Sequence, residues 1–540
     1  MSESFQLRDS RSRTAQVAGK ALDHVYFLLL LAASCLAYYF TIPAEDAVIL
    51  FEYAKNLAER GMITYGGAPT PIEGATDFLW MVTIGLLKHL GVDEFASALA
   101  FNFLGGVAIY RMARSLGMPA LVAASGVLAM PYLFSSLYGF STLSFAAIYA
   151  GCLYLLLHRK AGLYLALLVL CLVRPDGVVW GIGVVALRLL EARTEGRLQV
   201  EAGRLFWQLV IPGLTYFAWR LWYFGEILPL PFLVKASGER DLLFFYRESM
   251  EAIGYALEPV LLSILFVRDR RRFAGRLLLL FLVPVFFYAA MRLEQNIGNR
   301  FLAPMFFGAL VLLAAERSIL AGLAFVLASI LLAQKITLDT LLLMANSRNE
   351  NIYYISRDLS ALNGKMLVTE AGRLAYYSNW LAHDSWGLNT PEYAHELVDR
   401  GDLERGRYDL IVGHCDLAQL DAGRREAKTA PTRTWDNQCE VLMGYVGSSD
   451  YDLFLVPFVR IDGIPVLRGL KYELKTLLGI PAVKPVARAG KCRRHDVYAV
   501  ARGYRHAQEL AAIIRSHGGI AHADRSRYQV FGRNCVLASG

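Results

Sequence analysis

Two adjacent acids, Glu45 and Asp46, follow the first hydrophobic run of the chain and begin the stretch EDAVILFEYAKNLAER. Pro43 suits the first turn of a helix, and acids in that turn interact favourably with the helix dipole, so the pair could simply cap a helix. A carboxylate at the edge of the hydrocarbon is costly, however, unless it has a partner or a task. A carboxylate can also act as a general base and remove a proton from a hydroxyl. We therefore take Asp46 as the candidate base, supported by Glu45.

Further polar side chains lie in the same loop. Tyr53 and Asn56 belong to the helix that the acids begin, and the stretch PIEGATDFLW adds Glu73 and Asp77. A second acid-bearing stretch beside the first favours a binding function over a helix cap. These four residues are candidate substrate contacts.

Four cations lie near predicted turns. Arg220 and Lys235 flank a Pro-rich segment, Arg300 lies in LEQNIGNRF, and Arg174 lies in RPDG. Each could snorkel to the membrane interface, and Arg174 could pair with Asp176. Together they favour an anionic ligand such as a phosphate.

Carboxylates and phosphate-binding cations together favour one reaction. A sugar on a lipid phosphate can be displaced by an acceptor hydroxyl, with the carboxylate as base and the cations stabilising the charge left on the phosphate. This chemistry needs no nucleotide site, and the sequence has no Gly-rich phosphate loop.

The composition places these residues in a membrane protein. Of 540 residues 55% are hydrophobic, the mean hydropathy is +0.38, and apolar runs of membrane length recur from His24 to Gln334. After Asn346 the chain turns polar. We expect an α-helical polytopic membrane domain over 1–345 and a soluble α/β domain over 346–540. The first run has no cleavage site after it and is interpreted as a retained span.

The distribution of Lys and Arg predicts the orientation. Basic segments at the N-terminus, at 158–160, 188–197 and 268–272 belong on the cytoplasmic side. This arrangement gives about eleven spans, with 78–90 as an interfacial helix. The first loop, 43–94, and the C-terminal domain then face the periplasm, as do the acids and the four cations. Topology accounts for much of the net charge of +8, and no nucleic-acid partner is expected.

The C-terminal domain shows strand and helix patterns. KMLVTEAG and RYDLIVGH are typical of buried strands, and PEYAHELVDRG and YRHAQELAAIIRSHGG of helices closed by glycine. Tyr377 and Asp384 belong to a polar and aromatic set that could either line an acceptor cleft or pack in the core; its other members are Tyr376, Trp380, His383 and Trp386.

Metal binding and disulfides remain open at this stage. His383, His414 and Asp416 are candidate ligands, but they lack the close spacing of a closed site, so a divalent cation stays an open question. An even number of cysteines in an exported domain predicts disulfides. The four are Cys415, Cys439, Cys492 and Cys535. Three pairings are open; the most local one joins Cys415 to Cys439 and Cys492 to Cys535.

The stretch from Ala44 to Trp80 resembles the first extracytoplasmic loop of bacterial GT-C glycosyltransferases. Within them it is similar to the branch of the mycobacterial terminal arabinofuranosyltransferase and the pilin arabinofuranosyltransferase. LVRPDG, WRLWYFGEILPLPFLVK and EAGRLAYYSNWLAHDSWGLNTPEYAH match further segments of that branch in the same order. Three positions depart from it: Glu52 replaces an Arg, Leu230–Pro231 replaces Asn-Thr, and YGFSTLS lacks an acid.

The resemblance implies inverting transfer of a sugar, most directly arabinofuranose, from a decaprenyl or undecaprenyl phosphate to a glycan or exported protein in the periplasm. It makes the acid pair catalytic and adds Thr76, Trp80, Tyr223 and Asn299 to the substrate contacts. The expected location is the bacterial inner membrane. The alternatives are a GT-C transferase of a pyranose in O-antigen or lipid modification, a lipid-phosphate-sugar flippase, and a glycan-binding membrane protein without activity.

Overall fold

The computed structural model describes residues 2–236, 246–291, 293, 296–415, 435–457 and 495–522, with the side chains of 2–18, 235, 236, 247, 248, 349, 448 and 495 left aside. The chain divides into two compact units. Unit 1 comprises Met1–Phe40, Phe95–Phe217 and Asp241–Leu341. Unit 2 comprises Thr41–Glu94, Ala218–Arg240 and Leu342–Gly540. The predicted boundary after residue 345 differs from this division because the two loop segments pack with the C-terminal residues.

Helices dominate the first two thirds of the chain. They are α1 Ser2–Phe40, α2 Glu45–Arg60, α3 Phe78–His89, α4 Glu94–Ser115, α5 Ala120–Leu128, α6 Pro131–Leu137, α7 Thr142–Leu157, α8 Leu163–Val173, α9 Gly177–Thr194, α10 Leu198–Leu205, α11 Ile211–Phe224, α12 Leu230–Ala236, α13 Arg247–Ile264, α14 Arg270–Ala289, α15 Ala303–Ala315, α16 Ile319–Leu332, α17 Gln334–Asn346 and α18 Asn351–Asp358. A π-helical turn, Phe206–Val210, precedes α11, and a 3₁₀ segment, Ile297–Leu302, precedes α15.

Several of these helices suit a membrane. In the described ranges four are long and apolar enough to span one, Gly19–Phe40, Glu94–Ser115, Arg270–Ala289 and Ile297–Ala315, and two bent helix pairs raise the number to six. Large apolar side chains such as Leu28 and Leu121 are exposed, as lipid-facing residues are. The predicted count of eleven stays a prediction, because several expected spans are short helices. The 11 residues of α8, for example, extend only about 16 Å.

The C-terminal part of unit 2 is built on a mixed sheet. Its elements are β1 Lys365–Val368, α19 Arg373–Ser378, β2 Leu381–Asp384, α20 Arg400–Gly406, β3 Leu410–Cys415, α21 Trp435–Ser448, β4 Tyr451–Pro457, β5 His495–Ala501, α22 Ala507–Ser516 and β6 Ile520–Ala521. The strand order is β2-β1-β3-β5-β4-β6, with β2 and β3 parallel to β1 and the remaining pairs antiparallel.

The sheet follows the apolar runs in the sequence. Strands with continuous apolar sequences must be covered on both faces. Accordingly, burial is complete for Met366, Leu367 and Val368 of β1 and for Leu410 and Ile411 of β3. On one face, Leu367 and Ile411 pack in a cluster with Leu442 and Met443 of α21. The strands predicted around KMLV and DLIVGH are therefore present, and so is the helix α22, which Gly518 follows with φ +85°.

One predicted helix is wrong. PEYAHELVDRG forms only a 3₁₀ turn, Pro391–Tyr393, and α20 begins at Arg400. Asp399 is the N-cap of α20. Its carboxylate accepts the backbone N–H of Asp402 at 2.7 Å, and the Asp402 carboxylate accepts the N–H of Asp399 at 3.0 Å. This reciprocal capping box satisfies two of the N–H groups that are left free at a helix start, and so it favours a start at Arg400.

Candidate active site

The acid pair lies in the first turn of α2. Glu45 is its first residue and Asp46 its second, after Ala44 with extended backbone angles. Both side chains are half-buried. The free N–H groups of a helix start favour negative charge there. The sequence thus places two carboxylates at the positive end of the α2 dipole.

Glu45 is anchored by the loop that follows β1. Its Oε1 accepts the N–H of Gly372 at 2.6 Å and the N–H of Arg373 at 2.9 Å. The Arg373 guanidinium also donates to the carbonyl of Pro43 at 2.9 Å and pairs with Glu350. Burial raises the pKa of Glu45, and Arg373 with the two N–H groups opposes that rise. Glu45 therefore holds the start of α2 against the loop that follows β1.

A third carboxyl, Glu370, belongs to the same cluster. It lies two residues beyond the end of β1. Burial raises its pKa well above the usual value, and the charges of Glu45, Asp496 and Asp46 raise it further. A carboxyl crowded by other carboxylates keeps its proton more readily. Burial and these neighbouring charges therefore favour the protonated form of Glu370.

The sheet topology explains why these residues meet. The chain leaves β1 towards β2 on one side and returns to β3 on the other, which makes the carboxyl edge of β1 and β3 a topological switch point, where open α/β sheets bind ligands. Glu370 follows β1 at this edge, and His414 lies at the end of β3. Asp496 lies there too, because β5 runs antiparallel; its carboxylate contacts His414 Nδ1 at 2.6 Å.

Aromatic rings and a disulfide border this edge. Trp435 donates through Nε1 to the carbonyl of His414 at 2.8 Å and stacks on Trp386, with ring centroids 5.2 Å apart. Cys415 and Cys439 form a disulfide, the local pairing expected from the sequence. Cys492 and Cys535 lie outside the described residues.

The polar face of α2 is engaged in packing. The Tyr53 hydroxyl donates to Asn389 at 3.1 Å and accepts the N–H of Gly74 at 2.9 Å. Asn56 donates to Glu52 at 2.8 Å and to the carbonyl of Thr64 at 3.1 Å. These contacts fix the loop after α2. Tyr53 and Asn56, both predicted to contact substrate, therefore have a structural role.

Glu73 and Arg220 form a buried ion pair. Both carboxylate oxygens meet the guanidinium, which also donates to the carbonyl of Ile227 at 2.7 Å. Burial raises the pKa of Glu73, and Arg220 opposes that rise. Arg220, a predicted phosphate ligand, is therefore committed to a carboxylate and a backbone carbonyl. Its role towards a donor phosphate stays a prediction.

The remaining loop candidates lie near this pair. The Tyr223 hydroxyl accepts the N–H of Ile63 at 3.1 Å, and the Thr76 hydroxyl donates to Asp77 at 3.4 Å, just before α3. Trp80 is buried within α3. Lys235 falls in α12, but its side chain lies outside the described residues. Substrate contacts for these residues stay predictions.

Asp384 and Tyr377 differ in exposure. Asp384 is fully buried and accepts the N–H groups of Trp386 at 2.9 Å and Asn389 at 3.0 Å, which shapes the turn after β2. Burial raises its pKa to about 6. Trp380 is likewise a core residue. Tyr377 lines a cavity of about 240 Å³ that contains Tyr354 as well. The core alternative therefore describes Asp384, and a binding role stays open for Tyr377.

In unit 1 the predicted cations Arg174 and Arg300 meet around one aromatic ring. The guanidinium carbons lie 5.0 Å and 4.8 Å from the centroid of Phe301, and Arg300 also stacks on Phe140 at 3.9 Å. Arg174 pairs with Asp176 through two hydrogen bonds, the alternative that its spacing allowed. Asn299 precedes Arg300 with φ +54° and receives a hydrogen bond from Asn296 at 3.4 Å.

Sequence reasoning missed Glu370, Arg373 and Asp496. The signal for the first two was available: an acid and a glycine directly after a buried strand, in TEAGR, mark a strand end that approaches another backbone. Gly372 is needed there because a Cβ would collide with the carbonyl of Glu45. In the described ranges no group of three His, Cys, Asp or Glu side chains could hold a metal, and Asp416 lies outside those ranges.

No protein-family model matches the chain, and no curated protein sequence does. Two solved structures are similar. ArnT from Cupriavidus metallidurans bound to undecaprenyl phosphate has a TM-score of 0.50 and 12% identity, over 76% of this chain and 96% of ArnT. The apo state of the same protein has a TM-score of 0.51 and 13% identity, over 77% and 97%.

At this identity the similarity shows the fold alone. ArnT is a GT-C glycosyltransferase, and its fold agrees with the architecture expected from the sequence. The arabinofuranosyltransferase branch stays a prediction. The chain therefore has a fold similar to that of ArnT.

Proposed function

We propose that this chain is an inverting membrane glycosyltransferase that moves a sugar from a polyprenyl phosphate to an acceptor hydroxyl on the periplasmic side. The observation that carries the proposal is the carboxyl cluster of Glu45, Asp46 and Glu370 at the switch-point edge of the sheet. The ArnT-like fold supports it, since one ArnT structure holds undecaprenyl phosphate.

Asp46 is the general base of this reaction. Glu45 is held by two backbone N–H groups, which it would have to give up to reach a substrate, and we therefore assign the base to Asp46. Asp46 takes the proton of the acceptor hydroxyl. The acceptor oxygen then attacks the anomeric carbon from the face opposite the phosphate, and the bond to the phosphate oxygen breaks with its electron pair.

The departing phosphate gains negative charge and needs cations. Arg174, Arg220, Lys235 and Arg300 are the proposed ligands. Preorganised guanidinium and ammonium groups stabilise charge that develops on a leaving group without further reorganisation. Arg174 and Arg300 are held against Phe301, and this packing fixes where their charges lie.

The sugar proposed is arabinofuranose, on the strength of the motif resemblance from Ala44 to the WGLN segment. The test uses the purified chain and synthetic polyprenyl phosphates carrying arabinofuranose, mannose or 4-amino-arabinose. An arabinofuranose oligosaccharide serves as acceptor. We expect free polyprenyl phosphate and an extended oligosaccharide only with the arabinofuranosyl donor.

The controls test the type of activity separately from the identity of the sugar. Turnover of a pyranosyl donor would keep the transferase and refute arabinofuranose. Movement of labelled donor across vesicles without release of polyprenyl phosphate would refute the transferase and identify a flippase. Asp46→Asn should abolish release while the protein stays folded.

A further inference from the structure

Unit 1 contains a cationic bowl that none of the candidate site residues lines. The turn between α13 and α14 and the turn between α15 and α16 line an open cavity of about 1010 Å³. The Ser318 hydroxyl donates to the carbonyl of Phe266 at 2.8 Å and ties the two turns together. The bowl is therefore formed by two connected turns, not by one charged loop.

The bowl carries an excess of positive charge. Arg268, Arg270, Arg271 and Arg317 line it, and no ion pair involves these four within the described part of the chain. Its two acids have partners of their own. Asp269 accepts the N–H of Arg272 at 3.1 Å and caps α14, and Glu316 lies 3.5 Å from Arg276. Four guanidinium groups around one cavity repel each other and favour an anion.

The border of the bowl is apolar. Leu265 and Phe266 line the cavity and are 54% and 45% exposed, and Ile319 and Leu320, at the start of α16, are 56% and 66% exposed. On a membrane protein such side chains contact acyl chains. A soluble anion needs only the arginines, whereas a phospholipid satisfies both the cations and the exposed apolar side chains.

We propose that this bowl binds the headgroup of an anionic phospholipid, with its acyl chains against Leu265, Phe266, Ile319 and Leu320. The guanidinium groups contact the phosphate, for which their planar N–H donors are suited. Basic pockets between membrane helices on the cytoplasmic side recognise such headgroups, and the predicted orientation places this turn there. The site is independent of the proposed sugar transfer.

Native mass spectrometry of the purified full chain tests the proposal. The protein is mixed with phosphatidylglycerol or with phosphatidylcholine of equal chain length, and the retained lipids are counted. We expect the wild type to retain phosphatidylglycerol in preference. The double variant Arg271→Gln with Arg317→Gln should bind it at least tenfold more weakly, while Arg271→Lys with Arg317→Lys should keep most of the affinity.

The matched control removes the same charge elsewhere. Arg193 and Arg197 are exposed arginines of another basic segment, and Arg193→Gln with Arg197→Gln should leave lipid binding unchanged. Equal loss in both double variants would overturn the proposal in favour of a general charge effect. Displacement of phosphatidylglycerol by millimolar inorganic phosphate would overturn it in favour of a soluble anion. Equal retention of phosphatidylcholine would overturn it as well.

Discussion

Glu45 and Glu73 belong to one loop of unit 2, and the structure treats them in opposite ways. Glu45 lies at the switch-point edge among other carboxyls. Burial raises its pKa, and two backbone N–H groups and Arg373 oppose that rise. Glu73 is enclosed with one arginine whose donors it largely occupies. From the sequence alone these two acids of one loop look equivalent. Because their partners differ, Glu45 belongs to a cluster of titratable carboxyls, whereas Glu73 belongs to a closed ion pair.

The comparison teaches where chemistry can occur. In a cluster of carboxyls, burial and mutual repulsion raise the pKa values, as they do for Glu370, and such perturbed groups are common at functional sites. Removing one partner of a closed pair destabilises the fold, because the other charge is then left buried alone. We therefore expect substitutions in the first region to alter turnover and those in the second to alter stability.

The largest expected effect is that of Asp46→Asn. The substitution keeps the shape but removes the proton acceptor, so turnover should fall by about two to four orders of magnitude. Glu45→Gln should cost less turnover, since it weakens an anchor and not the base. Release of polyprenyl phosphate under single-turnover conditions measures both. If Glu45→Gln were the more damaging, the two roles would be reversed.

Breaking the Glu73–Arg220 pair should destabilise the protein by about 3–5 kcal/mol, because each single variant leaves a buried charge alone. Arg220→Met with Glu73→Leu should recover most of the loss. Thermal unfolding of the two single variants and the double variant in detergent gives the coupling free energy between Glu73 and Arg220. Weakened donor binding in Arg220→Met without loss of stability would instead support the phosphate role.

Gly372→Ala tests the approach of the β1 loop to α2. The added Cβ collides with the backbone of Glu45, so we expect a loss of about 1–3 kcal/mol together with lower turnover. Gly447→Ala is the matched control, since no atom lies within 4 Å of its Cβ position and α21 should gain slightly. A neutral Gly372→Ala would show that the anchor of Glu45 tolerates a shift.

The smallest expected effect is a change in the pH dependence of stability. A carboxyl whose folded pKa is raised makes the folded state bind its proton more tightly, so the free energy of unfolding falls as pH rises above about 4.3 and until the folded pKa is passed. Glu370→Gln removes this ionisation. The variant should therefore lose less stability than the wild type between pH 5 and 8.

Thermal unfolding of both proteins across that range measures the difference. Asp384, with its pKa raised to about 6, has the same sign, but it is present in both proteins and cancels. Parallel stability curves would mean that Glu370 does not ionise differently on folding.

Much of the architecture could be predicted from residues. The apolar runs specified helices in 1–345, the blocks KMLV and DLIVGH specified buried strands, and the acid pair was recognisable at a helix start. These features depend on local composition and periodicity, which the sequence displays directly. The helix expected at 391–401 was wrong because a capping box at Asp399 outweighed the apolar pattern.

The sequence by itself determined which residues are able to do chemistry; only the tertiary structure decided which of them are committed elsewhere. Glu73 pairs with Arg220, which is 147 residues away in the sequence, and Glu45 accepts a hydrogen bond from Gly372, which is 327 residues away. Glu370 meets Asp496 because β5 runs antiparallel to β3 and begins at the edge where β1 ends. Carboxylate energetics depend on burial and on charges a few ångströms away, and such distances arise only when remote segments pack together.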